Sequence, residues 1–345
     1  MKRVIVAGAG LIGTRHIAEV ERNASCLLAA IVEPEAHRAA QFGVPVFASI
    51  EDVTADADGI ILATPTRLHS SQAIACARRG WDVLVEKPVA DTVAAATAMD
   101  AAARSAGTSI LVGHHRRHHP RVARLRELLD AGEIGEPLLA TALWTVRKPD
   151  DYFAGNWRSG SDGSPVLINA VHDIDLLRHL FGEVILVSAC GSNLVRGSDR
   201  VETAAIMLQF ENGMVATVVL SDASPGPWGF ESGTGENPNI GSTGQDMLFI
   251  SGTLGAVSFP SLTLWTGSSD WSQAPRPKID AEIPAMPEDT PLQRQLAHFV
   301  AVMNREAEPL INAADAARTL AVTLNVEAQI KARGLPVSRN AATGS

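Results

Sequence analysis

The chain is 345 residues long and 46% hydrophobic, with 29 lysines and arginines against 38 acidic residues, a formal net charge of −9. That length suits two domains with a sizeable core, and the negative balance argues against nucleic acid as a general partner. No apolar run reaches the roughly 18 residues of a membrane span, and the three scattered cysteines, Cys26, Cys76 and Cys190, lack the C-x-x-C pairing of a thiolate metal site or a disulfide framework.

The first apolar run, residues 4–7, meets a glycine turn too soon to be the apolar stretch of a secretory leader. A cytoplasmic location follows as the expectation, with the cysteines as small core residues. Further apolar runs at 27–32, 59–63, 83–85 and 109–112 alternate with helical patterns at 11–22, 34–41, 68–79 and 92–105. Continuous apolar strands joined by helices predict an α/β fold, a parallel sheet covered on both faces, over residues 1–120. After Pro120 the character changes. A helix at 121–129, a strand at 137–146 and a helix near 168–180 precede alternating strands at 184–192, 202–210, 214–221, 247–251, 256–259 and 262–265. Asn212-Gly213 lies between two of these and signals a type I′ hairpin. Residues 121–335 therefore read as an α+β domain on an open, mostly antiparallel sheet. Within it, 222–245 is rich in Gly, Pro, Ser and Asn and reads as a long loop, a feature commonly functional or disordered. Two helices, 291–304 and 313–332, and a polar tail over 336–345 close the chain.

Gly8-Ala9-Gly10-Leu11-Ile12-Gly13 is a G-x-G-x-x-G turn between a strand and a helix. Gly8 permits the tight turn, Gly10 lets backbone approach a pyrophosphate, and Gly13 lets helix and strand pack closely. The backbone of Gly8, Gly10, Leu11, Ile12 and Gly13 is thus assigned to a dinucleotide, with the helix N-terminus facing its phosphates. Glu33, twenty residues after Gly13, stands where a carboxylate accepts hydrogen bonds from the adenosine ribose. It would repel a 2′-phosphate, which favours NAD. Nearby Arg38 leaves NADP open.

Glu86-Lys87-Pro88 ends the run 83–85, and ligands of such sheets bind outside the carboxyl ends of the strands. Position alone leaves Lys87 divided between a substrate contact and an ion pair with Glu86. Together with the glycine turn, with Thr64-Pro65 after residues 59–63 and with a later Gly/His segment, the motif resembles the Gfo/Idh/MocA oxidoreductases, such as inositol dehydrogenases and glucose–fructose oxidoreductase. The resemblance covers essentially the whole chain. It implies a Rossmann domain, a catalytic role for Lys87 and, often, a cis bond before the proline. Thr64, Pro65 and His69 are then expected over the cofactor, alongside Glu86, whereas His16 reads as structural.

The family's third motif is a glycine-rich turn opening a helix with an aspartate and, four residues on, a histidine. Gly163-Ser164-Pro165 leads here to His172, which matches the family's general acid/base and has a suitable unperturbed pKa of about 6.5. The aspartate is missing: Ile168 stands in its place, with Asn169 as the polar neighbour. Asp175, one turn on, is a candidate to orient the imidazole. In His114-His115-Arg116-Arg117-His118-His119 the arginines would repel a dication, so no metal site is expected. The resemblance implies His115, at the family's asparagine position, as lining of the nicotinamide pocket; Arg117 falls at the family's second arginine, and several of the other residues here are expected to be structural. Asn156-Trp157-Arg158 resembles a family Trp-Arg element, giving Arg158 a cofactor or substrate contact. Arg147, Tyr152 and Asn169 are further substrate candidates, followed by Lys148, Trp144, Trp228, Glu231 and Asn237.

The sequence predicts an NAD(P)-dependent enzyme. It would pass a hydride between nicotinamide and a ring carbinol of a small polyhydroxylated substrate (a sugar, cyclitol or cyclic hydroxy acid), with Lys87 and His172 on the substrate hydroxyl. Two alternatives stand beside it, a glycosidase using transient oxidation and a dinucleotide-sensing regulator without catalysis. An exposed sheet face is a liability unless covered, so a homo-oligomer pairing the second-domain sheets is expected, as is common in the family. Neither a membrane nor a nucleic-acid partner is.

Overall fold

In the computed structural model, which describes residues 1–154, 158, 160, 163–268, 270–279, 284 and 290–335, the apolar runs of the first part become strands buried along their length. In chain order they are β1 (Lys2–Ala7), α1 (Leu11–Arg22), β2 (Cys26–Val32), β3 (Val46–Phe47), β4 (Gly59–Leu62), α2 (Thr66–Arg78), β5 (Asp82–Val85), α3 (Val93–Ala106) and β6 (Ile110–Val112). The sheet is parallel throughout in the order β3-β2-β1-β4-β5-β6, the doubly wound arrangement with its crevice where the strand order reverses. Thr92 caps α3 by accepting from the Ala95 N–H, and Gly107 ends it in the left-handed conformation. The helix expected over 34–41 is instead two 3-10 turns, Ala36–Arg38 and Ala40–Phe42. Of residues 34–42 only Ala39, between the turns, and the partly buried Phe42 reach the core, too narrow an apolar stripe to hold a longer helix against the sheet.

The chain continues with α4 (Pro120–Asp130) and β7 (Pro137–Thr145), then a π-helical turn (Val166–Ala170) that runs into α5 (Val171–Phe181). Next come β8 (Val184–Ser192), β9 (Thr203–Phe210), β10 (Val215–Ser221), α6 (Phe230–Thr234), β11 (Leu248–Gly252), β12 (Ala256–Phe259), β13 (Thr263–Thr266) and β14 (Arg276–Ile279). The eight strands form one sheet in the order β14-β13-β12-β11-β7-β10-β9-β8, antiparallel except for the β7–β10 pair. One face carries the core, in which Ala140, Ile206, Leu208, Val218 and Ile250 pack with Ile174 and Leu177 of α5. The turn at Asn212-Gly213 is not type I′, because only Gly213 has a positive φ, of 88°. The Gly213 N–H bonds the Phe210 carbonyl and the Phe210 N–H bonds that of Met214, a type I turn closed by a left-handed glycine. The segment 222–245 is not wholly loop. All five residues of α6 are buried, with Phe230 stacked on Phe259 at 5.4 Å.

The other face of this sheet exposes apolar side chains along its central and β8-side strands, with Arg333 donating to Ser188 at 3.2 Å. Strands β8, β9, β10, β7 and β11 contain no Asp, Glu, Lys or Arg, and Leu139, Leu186, Met207, Val215, Val219 and Phe249 are all exposed on them. Cys190 lies here too. Strand alternation puts Ala189 in the core and leaves Cys190 exposed, so the third cysteine is not a core residue.

Two helices complete the chain, α7 (Pro291–Met303) and α8 (Ala313–Arg333). The chain divides into two compact units, Met1–His118 with Asp289–Ala321, and His119–Glu288 with Val322–Ser345. The expected uninterrupted domain over 121–335 is thus corrected. The stripe Leu296, Phe299, Val300 and Met303 on α7 joins the core formed by Val4, Val6, Ile17 and Leu84. Gly59 leaves room for it, since a Cβ there would lie 2.7 Å from the Met303 sulfur. Among the described residues no helix is long and apolar enough to cross a membrane.

Candidate active site

The glycine turn of the first unit has the shape its sequence requires. Gly8 has a φ of +92°, and a Cβ on it would meet the Ala63 carbonyl oxygen at 2.6 Å. A Cβ on Gly13 would overlap the Gly8 carbonyl. Beside Gly10 there is open space, with no atom within 4 Å of where its Cβ would stand. Gly10 begins α1 without a side-chain cap, and Leu11 is exposed. The leading N–H groups of the helix thus have neither a side chain nor a Cβ in front of them, which fits the pyrophosphate of a dinucleotide. Glu33 is buried at the end of β2. Its carboxylate accepts from the Ala9 N–H at 2.8 Å and the Glu35 N–H at 3.1 Å, so it fixes the turn itself. Arg38, the candidate for a 2′-phosphate, pairs with Glu35 at 3.0 Å.

At the end of β5, Glu86 is buried, Lys87 is half-buried and the Lys87–Pro88 bond is cis. His16 of α1 holds Glu86 with a 2.8 Å contact between ring Nε2 and Oε1, while the other oxygen accepts the Lys87 N–H at 3.2 Å. Gly113 lies against this carboxylate, since a Cβ there would approach it to 3.2 Å. Burial alone would raise the Glu86 carboxyl, but the hydrogen bond and charge of His16, then Lys87 and His115, outweigh it and hold the pKa at about 2 against an ordinary 4.5. His16 is thus structural as expected, and its task is to anchor the residue before Lys87. The folded-state pKa is depressed, so the stabilisation is complete above about 4.5 and is lost as pH falls toward 2. Glu86→Gln is expected to flatten stability over that acid window, measured by urea unfolding at each pH.

His69 does not lie open to a ligand. It is 1% exposed, with ring nitrogens 3.0 Å from the Pro88 carbonyl and 2.9 Å from the Thr64 carbonyl. It braces the loops after β4 and β5, leaving neither nitrogen for a cofactor. Burial lowers its pKa against the pull of those carbonyls and of Glu86. The Thr64 hydroxyl is engaged by Gln72 at 2.5 Å, and Pro65 precedes the first turn of α2. His115 is half-buried and contributes to the field at Glu86. Arg117 pairs with Asp315 at 2.8 Å and Arg116 is fully buried, so these arginines belong to the packing of the first unit. Among the described residues no group of three or more His, Cys, Asp or Glu is placed to hold a metal.

The second unit gathers the substrate candidates around Tyr152. Beyond β7, alternation continues, with Val146 packed on the core, Arg147 exposed and Lys148 half-buried. Lys148, not Arg147, is therefore the inward cation. Its ammonium lies 2.7 Å from Asn169 Oδ1, 5.0 Å from the Tyr152 ring centre and 5.4 Å from that of Trp144. Arg158 stands 4.7 Å over the Tyr152 ring and donates to its hydroxyl. Burial raises the Tyr152 pKa, opposed by Arg158. Asn169 sits in the π-helical turn and His172 in the first turn of α5, both buried, with Asp175 buried one turn on. Trp144 is core, its ring N–H donating to Glu231 at 3.0 Å, whereas Trp228 is exposed and Asn237 turns back to the Asn239 N–H. Asn156 and Trp157 lie outside the described residues.

The sequence gives no sign of what anchors Lys148. Asp222, 0% exposed, takes Arg196 at 2.8 Å and Arg200 at 2.6 Å. Its own carbonyl accepts the Lys148 N–H, and Arg196 donates to the Lys148 carbonyl. Arg200 also reaches the Gly163 carbonyl of the glycine-rich turn. No local motif marks these residues.

Comparison with known proteins bears on both units. Residues 2–114 match the family described as GFO_IDH_MocA, oxidoreductase family, NAD-binding Rossmann fold, and residues 122–258 match the GFO/IDH/MocA C-terminal domain. A 4-carboxy-2-hydroxymuconate-6-semialdehyde dehydrogenase from Sphingobium sp. is 29% identical over 66% of this chain and 74% of its own length. An inositol 2-dehydrogenase from Mycolicibacterium gilvum is 32% identical over 53% of each chain, so the match spans about half of that relative. In fold, an oxidoreductase from Agrobacterium radiobacter, solved with NAD+, L-tartaric acid and magnesium, superposes with a TM-score of 0.78 over 96% of both chains at 17% identity. With the glycine turn, the Glu86-Lys87-Pro88 corner and both domain types in place, this chain belongs to the GFO/IDH/MocA family of NAD-binding oxidoreductases.

Proposed function

We propose that this protein is an NAD-dependent dehydrogenase or reductase acting on a ring carbinol of a sugar, cyclitol or cyclic hydroxy acid. The observation that carries the reading is Lys87 at the carboxyl end of β5, following a carboxylate anchored by His16, in a unit whose glycine turn fits a dinucleotide. Gly8, Gly10, Leu11, Ile12 and Gly13 would hold the pyrophosphate, with Glu33 at the ribose end. Bound NAD supplies the acceptor for a hydride.

The chain's own groups handle the oxygen. Lys87 holds the substrate hydroxyl by charge and hydrogen bond, which favours the developing alkoxide. His172 takes the hydroxyl proton and returns it in reduction. The names of the relatives support a hydroxyl or aldehyde substrate, since one is a dehydrogenase of inositol and another of a carboxylated semialdehyde. The exposed apolar side chains of the second sheet support a homo-oligomer in which a second copy covers them, and a sedimentation mass above one chain is the expected result. The function is tested by supplying cyclitols, aldoses, uronic acids and quinate-like acids with NAD and reading NADH absorbance. One class is expected to reduce NAD, and silence across the panel would overturn the reading.

A further inference from the structure

We propose that His16 is a positioning residue for turnover: from the helix that faces the dinucleotide it fixes the Glu86 carboxylate and, through it, the backbone of Lys87. The inference rests on the catalytic role proposed above for Lys87, and its geometry lies wholly within the first unit.

The chain leaves the sheet at Lys87. The Glu86 N–H still bonds the Leu62 carbonyl at the end of β4, whereas the next N–H, that of Lys87, turns onto the Glu86 carboxylate at 3.2 Å. One carboxylate oxygen therefore holds Lys87, and the other is set by His16 Nε2 at 2.8 Å. Backbone closes a further side, since a Cβ on Gly113 would come within 3.2 Å of the carboxylate. His16 is 1% exposed and Glu86 7%, so their contact is shielded from water, which strengthens it. Pro88 is tied from a second helix, its carbonyl 3.0 Å from Nδ1 of His69 in α2. Two buried histidines thus fix the residues on either side of Lys87. His16 stands six residues along α1 from Gly10, about 9 Å on a helix. One rigid element therefore carries both the N-terminus assigned to the pyrophosphate and the side chain that sets the corner.

Charge makes the same connection. Burial favours the neutral Glu86 carboxyl, and the two largest opposing influences both come from His16, its hydrogen bond and its charge. Lys87 follows, and then His115 of the 3-10 turn His115–His118 after β6. His69 also lies in the field of Glu86. Without His16 the carboxyl is expected to take up a proton in mild acid, and a neutral carboxyl holds the Lys87 N–H less firmly.

The test compares His16→Leu, His16→Gln and Glu86→Gln in the full chain. The first readout needs no substrate: carbon-13 NMR of labelled glutamate carboxyls, with Glu86 identified by its loss in Glu86→Gln. Glu86 should be ionised at about pH 4.5 in the wild type and largely protonated there in His16→Leu. With a substrate of the active class, His16→Leu should lower kcat about ten-fold or more, the scale of a charged hydrogen bond. KM and NAD affinity should change less than about threefold, and the acid limb of kcat should move to higher pH. His16→Gln keeps a donor and should recover most of the rate; it also carries the test should His16→Leu not fold. Added to Glu86→Gln, His16→Leu should cost little more, because both act through one contact. Full turnover in folded His16→Leu, losses that add to those of Glu86→Gln, or an unmoved Glu86 titration would overturn the inference and leave the dehydrogenase reading standing. A wild type silent across the substrate panel would sink that reading, and this role with it, even with the Glu86 titration moved as expected.

Discussion

Lys87→Ala is expected to lower turnover about 10³-fold or more while changing NAD affinity less than about threefold. A positioned group that exchanges or stabilises a proton in the transition state contributes about 10²–10⁴-fold, and a fixed cation beside a developing alkoxide adds an electrostatic share. The glycine turn is built by Gly8, Gly13 and the Glu33 carboxylate without Lys87, which is why binding and turnover should separate. Lys87→Arg should not restore activity, because a planar guanidinium cannot occupy the place of a compact ammonium. Steady-state rates with the best substrate, together with fluorescence titration of NAD, read both quantities. Turnover equal to the wild type would remove Lys87 from the mechanism.

The second large effect is structural. Asp222→Ala should destabilise the second unit by about 3–5 kcal/mol, the usual cost of removing one partner from a buried ion pair, and lower its melting temperature by roughly 6–20 °C. Asp222 is inaccessible to water, and the side chains of Arg200 and Arg196 are only 1% and 15% exposed. The variant would leave two guanidiniums without their shared anion. Asp222→Asn should fall between, keeping an acceptor but not the charge. The same change should loosen Lys148, whose N–H and carbonyl are held by Asp222 and Arg196. A melting temperature within about 2 °C of the wild type would show that the network does not hold the second unit together.

The first unit was legible because its strands are buried on both faces and read as continuous apolar runs, and because the glycine turn is a local motif whose backbone demands fall on consecutive residues. The family resemblance added both domain types, and the family models agree with it. What escaped the sequence depends on partners distant along the chain. His69 looked available until the Thr64 and Pro88 carbonyls closed on its two nitrogens. Arg147 and Lys148 are indistinguishable as neighbours, and only the continued alternation beyond β7 exposes one and turns the other toward Asn169. Asn212-Gly213 marked the hairpin but not its type, because the Asn212 side chain is committed to the Phe181 carbonyl and the Met214 N–H while Gly213 alone turns left-handed. The return of α7 to the first unit is a matter of which core its apolar stripe completes, and periodicity says only that the stripe exists.

The central claim, net hydride transfer from a substrate carbon to NAD, is tested most directly by isotope. With a substrate from the active class deuterated at its ring carbinol carbons, the reduced cofactor released into solution should carry one deuterium per substrate oxidised, read by mass spectrometry, and the Lys87→Ala protein should form it about 10³-fold more slowly. Substrate consumed with no labelled reduced cofactor released, the deuterium staying in the product or passing to water, would contradict it.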